Sequence, residues 1–245
     1  MSMKLQDKTA LVTGGGTGIG LGIAQGLAAA GCRVALCGRR EEVLCQAAQQ
    51  CGSDHEVLYH TVDVANRDEV RQLVQWAVAN MGQIDILVNS AGLNVKTRSM
   101  AEMTPDQWDQ VLSVNATGAY NCMYEVLPQM RERCDGLIIN ISSISGLRAT
   151  ALGGIAYSAS KFAMAALGTA AANEEKKYGI RVTNVFPGEV NTPILDQRPQ
   201  PVSDEHKASI LQPEDFSDLI VAIAALPPRA HVSDIVVKPT KQEFM

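Results

Sequence analysis

Tyr157 and Lys161 stand four residues apart in the run Tyr-Ser-Ala-Ser-Lys. On a helix this spacing puts both side chains on one face, one turn apart. The stretch from Lys161 to Lys177 is alanine-rich and free of proline, so a helix is expected there. An ammonium beside a phenol favours the phenolate and would lower the phenol pKa from its usual value of about 10. The pair would then give and take a proton near neutral pH. Taken alone, it is also what any amphipathic helix can display, so its meaning depends on the elements that position it.

Those elements alternate. Thr9 to Val12 is a short apolar strand running into Thr13-Gly14-Gly15-Gly16-Thr17-Gly18-Ile19-Gly20. A helix follows, with Ile19, Ile23, Leu27 and Ala30 at helical spacing and Gly31 as its stop. Glycines in such a turn let backbone approach a pyrophosphate, and the helix N-terminus offers free N–H groups to it. A second strand, Arg33 to Cys37, ends at Gly38-Arg39-Arg40 and leads to a helix from Glu41 to Gln50. A third strand, His55 to Thr61, runs to Asp63-Val64, and Asn66 caps a helix from Arg67 to Asn80. A fourth, Ile84 to Val88, ends at Asn89-Ser90-Ala91-Gly92. Thr104-Pro105 starts a long helix through Asn115 to about Arg131, with a disturbance expected at Pro128. The fifth strand, Leu137 to Ile141, delivers Ser142-Ser143, and the sixth, Arg181 to Phe186, closes on Pro187-Gly188. Residues 189–212 are rich in proline and polar groups, too long for a plain connector, and suit a lid. A helix from Pro213 to Leu226 and a strand from Asp234 to Val237 complete the chain. The pattern predicts a single-domain α/β fold of the Rossmann type, a doubly wound parallel sheet of about seven strands flanked by helices.

Bulk properties exclude several classes. The 245 residues are 46% hydrophobic, enough for a full core, and carry a net charge of -5. Nothing in that charge favours nucleic acid or an acidic membrane surface. No apolar run approaches the roughly 18 residues of a membrane span, and the polar start, Met1 to Lys8, does not resemble a signal peptide. A cytoplasmic protein is expected. The six cysteines form no CxxC pair and the four histidines lie away from them, so no metal is assigned and reduced, mostly buried thiols are expected.

In sheets of this kind ligands collect outside the carboxyl ends of the strands, where the glycine turn, Asn89 to Gly92, Ser143 and Pro187-Gly188 all fall. With TGGGTGIG, NSAG, Asn115, ISSISG, YSASK and PGEVNT in this order, the chain resembles the short-chain dehydrogenase/reductase family over its whole length. The resemblance implies an oxidoreductase acting on CH–OH groups: Tyr157 would be general acid and base, and Lys161 would tune it and hold the nicotinamide ribose. Ser143 would donate to the reacting oxygen, and Asn115 would hold a proton-relaying water. It further implies cofactor contacts from Gly14, Gly16, Thr17, Gly18, Ile19, Gly20, Arg39, Asp63, Val64, Asn89, Ala91, Gly92, Pro187, Gly188, Val190 and Thr192, together with Tyr157 and Lys161. A small carbonyl or alcohol substrate and a homotetramer or dimer belong to the same expectation.

Gly38-Arg39-Arg40 stands where an NAD site would place a carboxylate, which favours NADP(H) and leaves NAD(H) open. Thr17 is neutral where many NADP-using relatives are basic. Ser143 lies one residue further from Tyr157 than in many relatives, an extra residue assigned to the loop Gly146 to Ala156. Ser142 is the neighbour that alternation should turn away from the site. Asp63 is either a turn residue or an adenine neighbour. Glu189 reads first as an exposed carboxylate and second as a substrate contact, and Arg148 and Arg198 as solvated charges. Two other activities remain: a dinucleotide-binding sensor without turnover, and enoyl reduction on the same scaffold.

Overall fold

The computed structural model describes residues 5–52 and 56–243. Seven strands form one parallel sheet in the order β3-β2-β1-β4-β5-β6-β7. They are β1 (Thr9–Thr13), β2 (Arg33–Gly38), β3 (Leu58–Thr61), β4 (Ile86–Asn89), β5 (Gly136–Ile141), β6 (Ile180–Pro187) and β7 (Asp234–Val237). The helices are α1 (Gly18–Ala29), α2 (Glu41–Gln50), α3 (Arg67–Met81), α4 (Pro105–Leu112), α5 (Gly118–Arg133), α6 (Ile155–Glu175), α7 (Asp204–Ser209) and α8 (Ser217–Ala224). Strand order reverses between β1 and β4, the switch point at which such sheets open a crevice.

Central strands β1, β4 and β5 are buried from end to end, as expected of strands covered on both faces. Alternate residues feed two cores. Val12, Leu36, Val88 and Ile139 pack on one side with Ile23, Leu27 and Phe216. On the other, Leu11, Leu87 and Ile138 pack with Leu73, Met123 and Met130.

Polar residues also cross the sheet, in register. Asn89, Asn140 and Asn184 are Cα partners on β4, β5 and β6, and Asn184 faces Asp234 on β7. Asn89 Nδ2 donates to Asn140 Oδ1 (2.9 Å), Asn140 Nδ2 to Asn184 Oδ1 (3.3 Å), and Asn184 Nδ2 to Asp234 Oδ1 (3.2 Å). This buried amide ladder passes beneath α6 at Gly168, where a Cβ would lie 2.0 Å from Asn184 Oδ1. Glycine is therefore what lets α6 sit at this height. At its far end α6 is tied to α5 by Arg131, whose Nε and Nη2 reach Glu175 at 2.8 and 2.5 Å.

The element pattern matches the sequence, with three corrections. The long helix is disturbed at Ser113–Thr117, a π-turn in which Gly118 N–H donates to Ser113 O, and runs unbroken through Pro128. Pro128 is exposed, as is Tyr124, whose carbonyl loses its partner there, so water can replace the missing bond. The segment after Gln212 is a short 3₁₀ turn, Pro213–Phe216, before α8 begins. The third strand starts at Leu58, and its expected start at His55 lies outside the described residues. Of the cysteines, Cys32, Cys37, Cys51 and Cys122 are buried, Cys45 is half-buried and Cys134 exposed.

Candidate active site

A cavity of about 810 Å³ opens at the carboxyl ends of the strands. One end is built by the β1–α1 turn. Gly14 has φ +64°, and a Cβ there would lie 2.9 Å from the Ala91 backbone, so the turn can hug the β4 loop only as glycine. Thr13 Oγ1 accepts from the N–H groups of Ser90 and Ala91 (both 3.0 Å), fixing that loop. Thr17 precedes α1 without capping it through its side chain, leaving the first helical N–H groups available to an anion. Gly16, Gly18, Ile19, Arg39, Asp63, Val64, Gly92, Pro187, Gly188, Val190 and Thr192 line the same space. These glycine walls, the uncapped helix start and the arginines after β2 fit a dinucleotide carrying phosphates.

The other end gathers the proton chemistry. Ser143 follows β5, and its Oγ accepts from Ser145 N–H (3.1 Å) and stands in hydrogen-bonding reach of the Tyr157 hydroxyl. Ser142 points away: its Oγ donates to the Lys161 carbonyl (3.0 Å) on α6. Tyr157 and Lys161 share a face of α6, with Nζ 5.6 Å from the phenol ring centroid. Lys161 is buried and its Nζ donates to Ile141 O (2.8 Å). Burial pulls its pKa down to about 8.

Tyr157 behaves differently from the sequence expectation. Burial raises its pKa above the usual value, opposed by the Ser143 hydrogen bond and by the charge of Arg98. Desolvation of the phenolate outweighs both.

Asn115 occupies the π-turn, completely buried. Its Oδ1 accepts from Leu93 N–H (2.8 Å), and its Nδ2 donates to Leu93 O (2.9 Å) and Ser160 Oγ (3.0 Å). It thus pins the β4 loop against α6. A Cβ on Gly92 would lie 3.5 Å from both Asn115 Oδ1 and Lys161 Nζ, so both groups approach the cavity wall at one point.

Three expected site residues do not line the cavity. Asn115 lies behind Gly92, Gly20 packs under the Gly14 carbonyl, and Asn89 belongs to the amide ladder. Asp63 lines it while its Oδ1 accepts from Ala65 N–H (3.0 Å), so it also serves its turn. Arg40 lines the cavity beside Arg39, and the exposed Arg148 lines it as well.

Glu189 and Arg198 are corrections. Neither is a solvated charge: Glu189 Oε2 lies 3.1 Å from Arg198 Nη2 and 2.6 Å from His206 Nε2, with both Glu189 and Arg198 less than one-fifth exposed (19% and 15%). Despite the cost of burial, the His206 hydrogen bond and the charge of Arg198 hold the Glu189 carboxyl below its usual range. The three come from the ends and middle of residues 189–212, which contain a 3₁₀ turn (Pro193–Gln197) and α7, and close on a Val190–Leu211 bridge.

Arg98 escaped the sequence reading altogether. It lies six residues beyond the strand-end run Asn89 to Gly92, the one hint available. Among the described residues, six cationic side chains and three carboxylates line the cavity: Arg39, Arg40, Arg98, Arg148, Lys161 and Arg198 against Asp63, Glu189 and Glu243. Among the described residues no helix is long and apolar enough to cross a membrane, and no group of His, Cys, Asp or Glu is arranged for a metal.

Known proteins resemble this chain along its length. The family model for short chain dehydrogenase matches residues 8–202. An uncharacterized oxidoreductase of Staphylococcus saprophyticus is 36% identical over 239 residues, 97% of this chain and 99% of the relative. A metagenomic short-chain oxidoreductase solved in complex with NADP superposes with a TM-score of 0.84 at 30% identity, over 99% of this chain and 100% of that one. The 3-ketoacyl-(acyl-carrier-protein) reductase of Brucella melitensis, complexed with NADH, gives 0.87 at 26% identity, covering 97% and 99%.

Proposed function

Since the chain belongs to the short chain dehydrogenase family, we propose that it interconverts a carbonyl compound and its secondary alcohol with NADP(H) as hydride carrier. The observation that carries this reading is the meeting of Ser143, Tyr157 and Lys161 on one wall of a cavity whose other end suits a dinucleotide. The nicotinamide, when bound, supplies or accepts the hydride.

Tyr157 gives its hydroxyl proton to the substrate oxygen in reduction and takes it back in oxidation. A raised pKa keeps that proton in place at neutral pH, which suits the donor role. Ser143 donates to the same oxygen as negative charge develops on it. Lys161, with a pKa of about 8, is mostly charged at neutral pH and would hold the ribose beside Tyr157. Asn115 fixes the β4 loop and the π-turn behind Lys161, where a water could connect the site to solvent.

NADP(H) is favoured over NAD(H) because β2 ends at Gly38 with no carboxylate, followed by Arg39 and Arg40 on the cavity wall. The phosphate-binding fork of an arginine suits a 2′-phosphate. Residues 189–212 serve as the lid. A homo-oligomer built on α5 and α6 is supported by Tyr120, Tyr124 and Phe162, large side chains exposed on those helices.

The test is NADPH oxidation, followed by absorbance, against diketones, oxo esters and oxo acids. Turnover of at least one class is expected. Tight NADPH binding without turnover across the panel would overturn the assignment in favour of a sensor.

A further inference from the structure

Arg98, between β4 and α4, is 8% exposed. Its Nε donates to Val95 O (2.8 Å), one Nη to Leu152 O and the other to Gln197 O (2.8 Å). A guanidinium has five N–H groups, so two remain without a partner among the described residues. No carboxylate there ion-pairs with it either. Glu189 is already engaged by Arg198 and His206.

Carbonyl dipoles fix the orientation of a guanidinium but do not neutralise it, and a buried charge is ordinarily paired. The surroundings make this one costly. Burial and then the like charge of Arg198 lower the Arg98 pKa, and the one group that favours its charge, Tyr157, does so only as the phenolate. The same Arg98 lines the cavity beside Ser143 and Tyr157.

We propose that the substrate itself brings the missing negative charge: a compact oxo acid or hydroxy acid whose carboxylate is bound by Arg98. The proposal rests on the carbonyl–alcohol reading above and names its substrate class. Proton chemistry is coupled to it. The ionisable and charged groups that face Tyr157 are Arg98, Arg198 beyond it, and Lys161, with the Ser143 hydroxyl in hydrogen-bonding reach. A carboxylate on Arg98 cancels one of those cations, so the phenol holds its proton to higher pH when an acid is bound than when a neutral ester is.

The experiment compares pyruvate, acetoacetate and levulinate with their methyl esters, using NADPH and wild type, Arg98→Met and Arg98→Lys. In wild type an acid should exceed its ester in kcat/KM by roughly ten- to a hundredfold at one or more chain lengths, the value of hydrogen bonds to a charged group. Arg98→Met should abolish that preference and Arg98→Lys should retain part of it. The alkaline fall in kcat for reduction should come at higher pH for the acid than for the ester. Esters matching or surpassing acids at every length would overturn the proposal. So would equal losses on acid and ester in both variants, the signature of an arginine that only clamps three loops.

A binding measurement separates this inference from the reading beneath it. Butyrate and butyramide are titrated against wild-type enzyme saturated with NADPH. Butyrate should bind at least tenfold more tightly. Butyrate bound no better than butyramide refutes the anion site, whatever the turnover. Selective butyrate binding with no turnover of any carbonyl refutes the oxidoreductase reading and leaves the site standing.

Discussion

Gly168→Ala tests whether the amide ladder sets the height of the helix that carries Tyr157 and Lys161. A Cβ at this position would lie 2.0 Å from Asn184 Oδ1 and 2.7 Å from Asn140 Nδ2. Both asparagines are buried and hydrogen-bonded to their neighbours, so neither can swing aside into solvent. Either α6 lifts by roughly an ångström or the Asn140–Asn184 bond breaks. Overpacking costs about 1–3 kcal/mol, and a buried acceptor left without its donor about 1–3 kcal/mol. Against this, alanine gains about 1 kcal/mol over glycine inside a helix. Whichever of the two occurs, a net loss of up to about 2 kcal/mol follows, which lowers Tm by up to roughly 8 °C in a chain of this size. Lys161 lies about two turns, roughly 10 Å, along the helix, so a lift at Gly168 is felt there. Misplacement of a catalytic group by about 1 Å can cost on the order of a hundredfold. Thermal melts and kcat for NADPH-linked reduction are measured on the same preparation. A variant as stable as wild type, with unchanged kcat, would refute the idea that the ladder positions the helix.

Tyr157→Phe should lower kcat by about 10²–10⁴-fold with NADPH affinity nearly unchanged; retention of a tenth of wild-type kcat would remove Tyr157 as the proton donor. Arg39→Ala should raise the Kd for NADPH about ten- to a hundredfold and barely alter that for NADH, read by fluorescence titration of both cofactors; equal wild-type affinities would sink the NADP(H) assignment. The Arg131 side chain holds the buried Glu175 carboxyl below its usual range. That stabilisation is therefore present above the unfolded carboxylate pKa of about 4.3 and is lost as pH falls through the lower folded value. Glu175→Gln should cost about 1.5–3 kcal/mol at pH 7 and make stability less steep in acid; denaturant unfolding across the acid range checks both, and an unchanged acid limb would argue against the pair.

The strand–glycine-turn–helix start was legible because apolar runs, glycines and helical spacing are all local signals. That Tyr157, Lys161 and Ser143 would meet at one cavity was legible for the same reason, each sitting at a recognisable strand end or helix face. The π-turn was not. Ser113 to Thr117 contains neither glycine nor proline, and the widened turn accompanies contacts of Asn115 with Leu93 and Ser160, far away in sequence. Pro128 misled because the cost of a missing N–H depends on which face the proline occupies. Arg98 stayed hidden because its three acceptors, Val95, Leu152 and Gln197, come from separate segments. The cofactor contact expected of Asn89 came from the family resemblance of the NSAG motif, which says nothing of its neighbours across the sheet. Its partner Asn140 becomes visible only once the strands are paired.

The distribution of charge around the cavity has a kinetic side. The whole chain carries -5, yet among the described residues cations outnumber carboxylates on the cavity wall. An approaching dinucleotide, itself an anion, therefore meets repulsion at long range and attraction near the mouth. At about 0.01 M ionic strength the screening length is roughly 30 Å and the repulsion reaches far into solution; at about 0.1 M it is roughly 10 Å and only the local field survives. Association of NADPH should accordingly speed up as salt is first added, then slow once the attraction at the mouth is screened as well. A simple basic groove would show only the decline.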